Sequence, residues 1–148
     1  MTDSPLGPLS EDGLVRLLTP AGQRLPSSGH PEYDEAAAAL TPETLRAMYR
    51  DMVLARRFDV EATALQRQGE LALFAPALGQ EGAQIGSAYA LAPQDHVFPS
   101  YREHGVGLVR GVDLLGVLSL FRGVDHGGLD PVAHGFHLYT LVVGAHPL

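Results

Sequence analysis

Asp95-His96-Val97-Phe98-Pro99-Ser100-Tyr101-Arg102-Glu103-His104-Gly105 reads as a short apolar strand stopped by a proline, then a polar turn, then the first residues of a helix. The junction of a strand end with a helix start is where open α/β sheets take their ligands. It is also the densest polar cluster in the chain. An arginine beside helix-start amides suits a phosphate or diphosphate, because its planar fork offers two charge-assisted hydrogen bonds. The Tyr101 hydroxyl adds a further donor. A plainer alternative stands beside this one: Arg102 and Glu103 form a solvated surface pair and Tyr101 packs. On these residues alone the plainer alternative is the commoner.

Upstream, Thr41-Pro42-Glu43 marks a helix start, with Thr41 as cap, Pro42 at the first helical position and Glu43 at the positive end of the dipole. Leu45, Met48, Tyr49, Met52, Phe58 and Leu65 recur near helical spacing, which predicts a helix from about Pro42 to Gln68 with this apolar face and with Gly69 as a left-handed stop. Gly79 to Ala90 reads as a second helix rich in small residues. Downstream, His104 to Arg110 reads as a short helix. Another, capped by Asp113 and running through Arg122, is apolar enough to predict deep burial. Gly123 to Gly135 reads as loop and Leu138 to Val143 as a strand. Helices alternating with apolar strands predict an α/β layer architecture. Only two or three strands are visible, too few for a complete doubly wound sheet. Residues 1–40, punctuated by Pro5, Pro8, Pro20, Pro26 and Pro31, read as an extended N-terminal arm, and residues 41–148 as one domain.

The bulk properties narrow the function. The 148 residues carry a formal net charge of −7, which argues against nonspecific nucleic-acid binding, since that needs clustered cations. With no cysteine there is no disulfide, thiol nucleophile or cysteine-bound metal. No apolar run approaches the ~20 residues of a membrane helix, and no leader pattern opens the chain, so a cytoplasmic protein with no membrane partner is expected.

Two further clusters carry candidate chemistry. In Arg122-Gly123-Val124-Asp125-His126-Gly127-Gly128-Leu129-Asp130, the glycine-flanked His126 could act as a mobile acid–base or close over a ligand, or be a loop histidine without a role. Asp125, His126, Asp130, His134 and His137 do not match the spacing of a zinc site. In Gly79-Gln80-Glu81-Gly82, Glu81 is ordinary helix-start chemistry or a buried polar contact. No glycine-rich dinucleotide fingerprint, phosphate loop with lysine or Ser-His-Asp set is present.

Taken together, Arg57-Phe58-Asp59, Gln68-Gly69-Glu70, Phe74-Ala75-Pro76-Ala77-Leu78-Gly79-Gln80-Glu81, Asp95 to Gly105 and Arg110-Gly111 fall in an order and spacing that resembles a known family. It is the alpha subunit of the thiamine-diphosphate-dependent 2-oxo acid dehydrogenases, matched in its N-terminal part over about Leu40 to Val143. The resemblance implies an incomplete thiamine-diphosphate-binding fold. It also implies oxidative decarboxylation of pyruvate or a branched-chain 2-oxo acid, with acyl transfer to lipoyl-lysine on an acyltransferase component. The cofactor would lie between alpha and beta subunits of an alpha2beta2 heterotetramer, with Mg2+ on its diphosphate. Carried over by position, Tyr101 and Arg102 contact the cofactor, Phe74 falls in the segment bordering it, and His126 is the catalytic loop histidine. Ala75 stands where some pyruvate-specific members have a histidine, which leaves the 2-oxo acid open. The family's metal motif falls beyond this chain, so no metal ligand is expected within it, and His146-Pro147-Leu148 departs from the pattern. The chain is therefore expected to be a truncated domain. The alternative reading of the 148-residue product is a catalytically inactive remnant that at most binds the beta subunit.

Overall fold

The computed structural model describes residues 16–26, 30–124 and 130–137. The chain divides into two compact units, Met1–Leu45 and Arg46–Leu148.

In the first unit, Leu18 and Arg24 form an antiparallel bridge around a turn in which Gly22 takes φ +78°. Helix α1 (Pro31–Ala38) follows inside the stretch expected to be an extended arm. Its sequence explains it: Pro31 at a helix start supplies the right φ instead of breaking the helix, Glu32 and Asp34 sit at the positive end of the dipole, and Ala36 to Ala38 carry high propensity. Arg24 reaches Asp34 at 2.6 Å.

Helix α2 (Pro42–Arg67) opens as its local chemistry dictates, with the Thr44 N–H donating to Thr41 Oγ1 at 3.2 Å, and it stops before Gly69 at φ +80°. Its buried face differs from the expected apolar stripe. The buried residues are Asp51, Phe58, Asp59 and Ala62, while Tyr49 is 66% and Val53 51% exposed. The two aspartates turn inward because each has a distant partner. Asp51 accepts the Tyr89 hydroxyl at 2.8 Å, and Asp59 accepts the Ala77 N–H at 2.5 Å. A buried carboxylate with such partners is tolerated, and without them it is not.

Helices α3 (Glu81–Tyr89) and α4 (His104–Val109) pack on each other. Helix α5 (Leu114–Arg122) is capped by the Asp113 carboxylate, which accepts from the Leu115 and Gly116 amides, and Gly123 ends it at φ +82°. It is buried on one face only: Val117 and Phe121 are inside and Leu115 is 71% exposed, contrary to the expected deep burial. A single turn, α6 (Pro131–His134), appears in the stretch read as loop. The core gathers Phe58, Phe74, Val106, Val117, Phe121 and Phe136. Three of its phenylalanines meet edge to face, with Phe74 at 5.4 Å from Phe121 and 6.0 Å from Phe58, an arrangement aromatic quadrupoles favour.

The expected sheet is not seen. Among the described residues, extended pairing in this unit is one parallel bridge, Val97 to Phe136, in which the Val97 N–H donates to Gly135 O at 2.7 Å and the His137 N–H donates to Val97 O at 2.9 Å. Pro99 ends the strand-like run immediately after it, and the predicted strand Leu138 to Val143 lies outside the described residues. What the described residues establish is a helix-rich fold. No helix among them is long and apolar enough to cross a membrane.

Candidate functional site

The turn from Pro99 to Gly105 is held from two sides. The Glu103 carboxylate accepts the Ser100 N–H at 2.9 Å, the Ser100 hydroxyl at 2.9 Å and the Arg102 N–H at 3.2 Å. All of these bonds run to the Glu103 carboxylate, the half of a Ser-x-x-Glu capping box in which the glutamate reaches back to the serine N–H. Burial pushes this carboxyl up, but the hydroxyl and the amides outweigh burial and leave it below the usual range. From the other side, Gln84 of α3 donates to the Arg102 carbonyl at 3.1 Å and accepts the Gly105 N–H at 2.9 Å.

With its carboxylate committed to the turn, Glu103 does not pair with the Arg102 guanidinium, so the surface pair allowed by the sequence is not formed. Arg102 Nη2 instead donates to the Tyr101 hydroxyl at 3.0 Å, and its Cζ lies 4.7 Å over the Tyr101 ring. The contrast with other arginines is plain. Arg24, Arg50, Arg56, Arg57 and Arg122 each meet a carboxylate. Among the described residues no carboxylate meets the Arg102 guanidinium.

Beneath the turn, His104 is buried, stacks on Phe74 at 5.3 Å, and presents its edge to Phe58 and Phe121. Burial pushes its ring down to about 4, against the Ala75 backbone and the Asp59 and Glu103 carboxylates. It is therefore neutral at neutral pH. Its Nε2 has no partner among the described residues, and the ring lines a cavity of about 10 Å³ with Asp59, Glu81 and Gln84. That is near the volume one water requires. At the start of α3, the Arg56 guanidinium beside Glu81 holds its carboxyl down at about 2, and the Gly79 N–H adds to this.

Of the residues singled out in the sequence, Tyr101 and Arg102 come together at the turn. The Phe74 ring is only 3% exposed and stacks on His104, two residues along the chain from Arg102, beneath the turn. His126 lies outside the described residues. Gln84 escaped the sequence reading. The signal available was a lone buried-side carboxamide in a helix of small residues, with a glycine at 105 where a Cβ would stand 2.9 Å from Gln84 Oε1. Among the described residues, no group of three or more carboxylate or imidazole side chains is arranged to hold a metal ion.

Residues 49–140 match the family described as Dehydrogenase E1 component. The 3-methyl-2-oxobutanoate dehydrogenase subunit alpha of Mycobacterium tuberculosis is 53% identical over 91 residues, 62% of this chain and 25% of that protein. The pyruvate dehydrogenase E1 component subunit alpha of Acholeplasma laidlawii is 45% identical over 106 residues, 72% of this chain and 31% of that protein. The mitochondrial 2-oxoisovalerate dehydrogenase subunit alpha 2 of Arabidopsis thaliana is 40% identical over 99 residues, 67% of this chain and 20% of that protein. The chain thus spans between a fifth and a third of the length of these relatives. With its match running from α2 through the turn to the end of the described residues, the chain belongs to the dehydrogenase E1 component family.

Proposed function

We propose that this chain is the N-terminal part of the alpha subunit of a 2-oxo acid dehydrogenase, and that its Tyr101–Arg102 turn binds the diphosphate of thiamine diphosphate. The observation that carries this is the Arg102 guanidinium. In a chain of net charge −7, it stands on a braced turn without a carboxylate partner among the described residues. A permanently charged fork so placed is suited to two oxygens of a diphosphate. Tyr101 orients the fork now and offers its hydroxyl to the same anion. His104 is neutral and its stack on Phe74 ties the turn to the core.

The bound cofactor supplies the carbon centre for decarboxylation of a 2-oxo acid. The relatives are named for a branched-chain acid and for pyruvate, so the substrate class is the 2-oxo acid with either side chain. The acyl group passes to a lipoyl-lysine of the acyltransferase component, and a beta subunit completes the site in an alpha2beta2 assembly. His126, in the glycine-rich stretch of sequence from Arg122 to Asp130, is the proposed acid–base. Mg2+ would accompany the diphosphate. The helix-rich unit is part of an α/β thiamine-diphosphate-binding domain, for which the parallel sense of the Val97–Phe136 bridge is support.

The test is carbon dioxide release from pyruvate and from 3-methyl-2-oxobutanoate by the purified assembly with a beta subunit, thiamine diphosphate and Mg2+. Activity is expected with at least one acid. Arg102→Ala should raise the thiamine diphosphate needed for half-maximal rate by about tenfold or more, the value of one charge-assisted pair. Absence of turnover with both acids, or an unchanged cofactor requirement in Arg102→Ala, contradicts the proposal.

A further inference from the structure

Gln84 is only 6% exposed, and its carboxamide crosses from α3 to the Arg102 turn. Its Nε2 donates to the Arg102 carbonyl at 3.1 Å and to Gln80 Oε1 at 3.2 Å, and its Oε1 accepts the Gly105 N–H at 2.9 Å. A carbonyl only accepts and an amide N–H only donates, so these partners fix which end of the carboxamide faces which group. Arg102 is thereby pinned by its backbone on both sides, with its N–H held by Glu103 and its carbonyl by Gln84. Gly105 makes the approach possible, because a Cβ there would stand 2.9 Å from Gln84 Oε1 and 3.2 Å from Gln84 Cβ.

We propose that Gln84 is a positioning residue for anion binding: it fixes the backbone at Arg102 and Gly105 and so aims the Arg102 guanidinium at the diphosphate. This rests on the assignment of Arg102 to the diphosphate. Among the described residues no carboxylate holds the Arg102 fork, and its neighbour Tyr101 is 47% exposed. The base of the side chain therefore determines where the fork can reach. Two-pronged recognition requires placement within about 0.5 Å, and a misplacement of ~1 Å costs about a hundredfold.

The test measures thiamine diphosphate binding, with Mg2+, by calorimetry on the assembly of the full chain with a beta subunit. Gln84→Leu keeps the bulk and removes both bonds to the turn along with the one to Gln80, and it should weaken binding by about tenfold or more. Gly105→Ala, which pushes the carboxamide aside without deleting it, should act in the same direction. Gln84→Glu keeps the acceptor for Gly105 and loses the donor to Arg102 until the introduced carboxyl is protonated. Its affinity relative to the unsubstituted protein should therefore recover as the pH falls from about 8 to about 6, since burial and the Asp59 and Glu81 carboxylates lining the same cavity raise its pKa. His104 lines that cavity too and Glu103 lies across the turn, so the unsubstituted protein is measured at each pH to remove their contribution and that of the diphosphate. A role in packing alone gives no such recovery. Independently of any ligand, the Gly105 amide should be protected from hydrogen exchange in the unsubstituted protein and in Gln84→Glu, and exposed in Gln84→Leu.

Binding by Gln84→Leu within about twofold of the unsubstituted protein, while Arg102→Ala does not bind, overturns this proposal and leaves the role of Arg102 standing. Unchanged binding in Arg102→Ala, or no binding by the unsubstituted assembly, overturns both. Should Gln84→Leu fail to fold, the Gln84→Glu series decides: recovery at lower pH supports the proposal and a flat profile overturns it.

Discussion

Arg102 and Arg110 stand at opposite ends of α4 and are used in opposite ways. Arg110 donates to the carbonyls of His134, Ala92, Pro93 and Asp95 at 2.9, 3.1, 3.1 and 2.8 Å, tying the segment after α3 to α6. Among the described residues the Arg102 guanidinium makes one side-chain bond, to the tyrosine beside it. The guanidinium is the same; the backbone around it differs. At Arg110 four carbonyls converge and the fork becomes a strut. At Arg102 the residue's own carbonyl is taken by Gln84 and the nearby carboxylate by Ser100, so a permanent positive charge on a half-buried side chain is left without a carboxylate among the described residues. An arginine's role is thus set by the acceptors its neighbours have left unclaimed.

The largest effect expected is from Arg110→Ala, which strands four acceptors at once and should cost about 4 kcal/mol in urea unfolding. A loss below about 1 kcal/mol would mean that the strut is ornamental and the contrast between the two ends is wrong.

The next largest effect is expected from acid. The ordinary histidine pKa is near 6.5, and burial holds His104 at about 4 when folded. The unfolded chain therefore takes up this proton first as pH falls. The stability from neutral His104 is complete above about pH 6.5 and is lost on descending to about pH 4, up to about 3 kcal/mol. His104→Phe should flatten that part of the stability profile. A profile with the same slope in His104→Phe would assign the acid sensitivity elsewhere.

A smaller loss is expected from Gly135→Ala. Gly135 has φ +55°, and an added Cβ would lie 2.5 Å from Arg110 Nη2 and 2.8 Å from Asp95 O. Left-handed strain and displacement of the strut should together cost about 2 kcal/mol in thermal unfolding. Combined with Arg110→Ala, the loss should be less than the sum, because one clash partner is gone. Strict additivity would show that Gly135 and Arg110 do not act as one unit. Smallest of all, Arg102→Ala should change stability by no more than about 0.5 kcal/mol, as expected of a side chain that holds nothing together.

What could be read from the sequence was whatever neighbours in the chain decide. Thr41, Pro42 and Gly69 bound α2, and Asp113 and Gly123 bound α5, because caps and stops act within a turn. The Tyr101–Arg102 cluster was visible for the same reason. The buried face of α2 was not, since Asp51 and Asp59 are drawn inward by partners 38 and 18 residues away. Gln84 was missed likewise, its partners lying 18 and 21 residues on. In α1, proline was read as a mark of extended chain when at position 31 it begins a helix.

The most direct test of Arg102 as the anion-binding charge of this chain is one pair of calorimetric titrations. Thiamine diphosphate with Mg2+ is titrated into the assembly with a beta subunit, unsubstituted and as Arg102→Ala, with melting temperatures recorded alongside. The expected result is affinity weakened by about tenfold or more with the melting temperature unchanged. Equal affinity in the two proteins would contradict it.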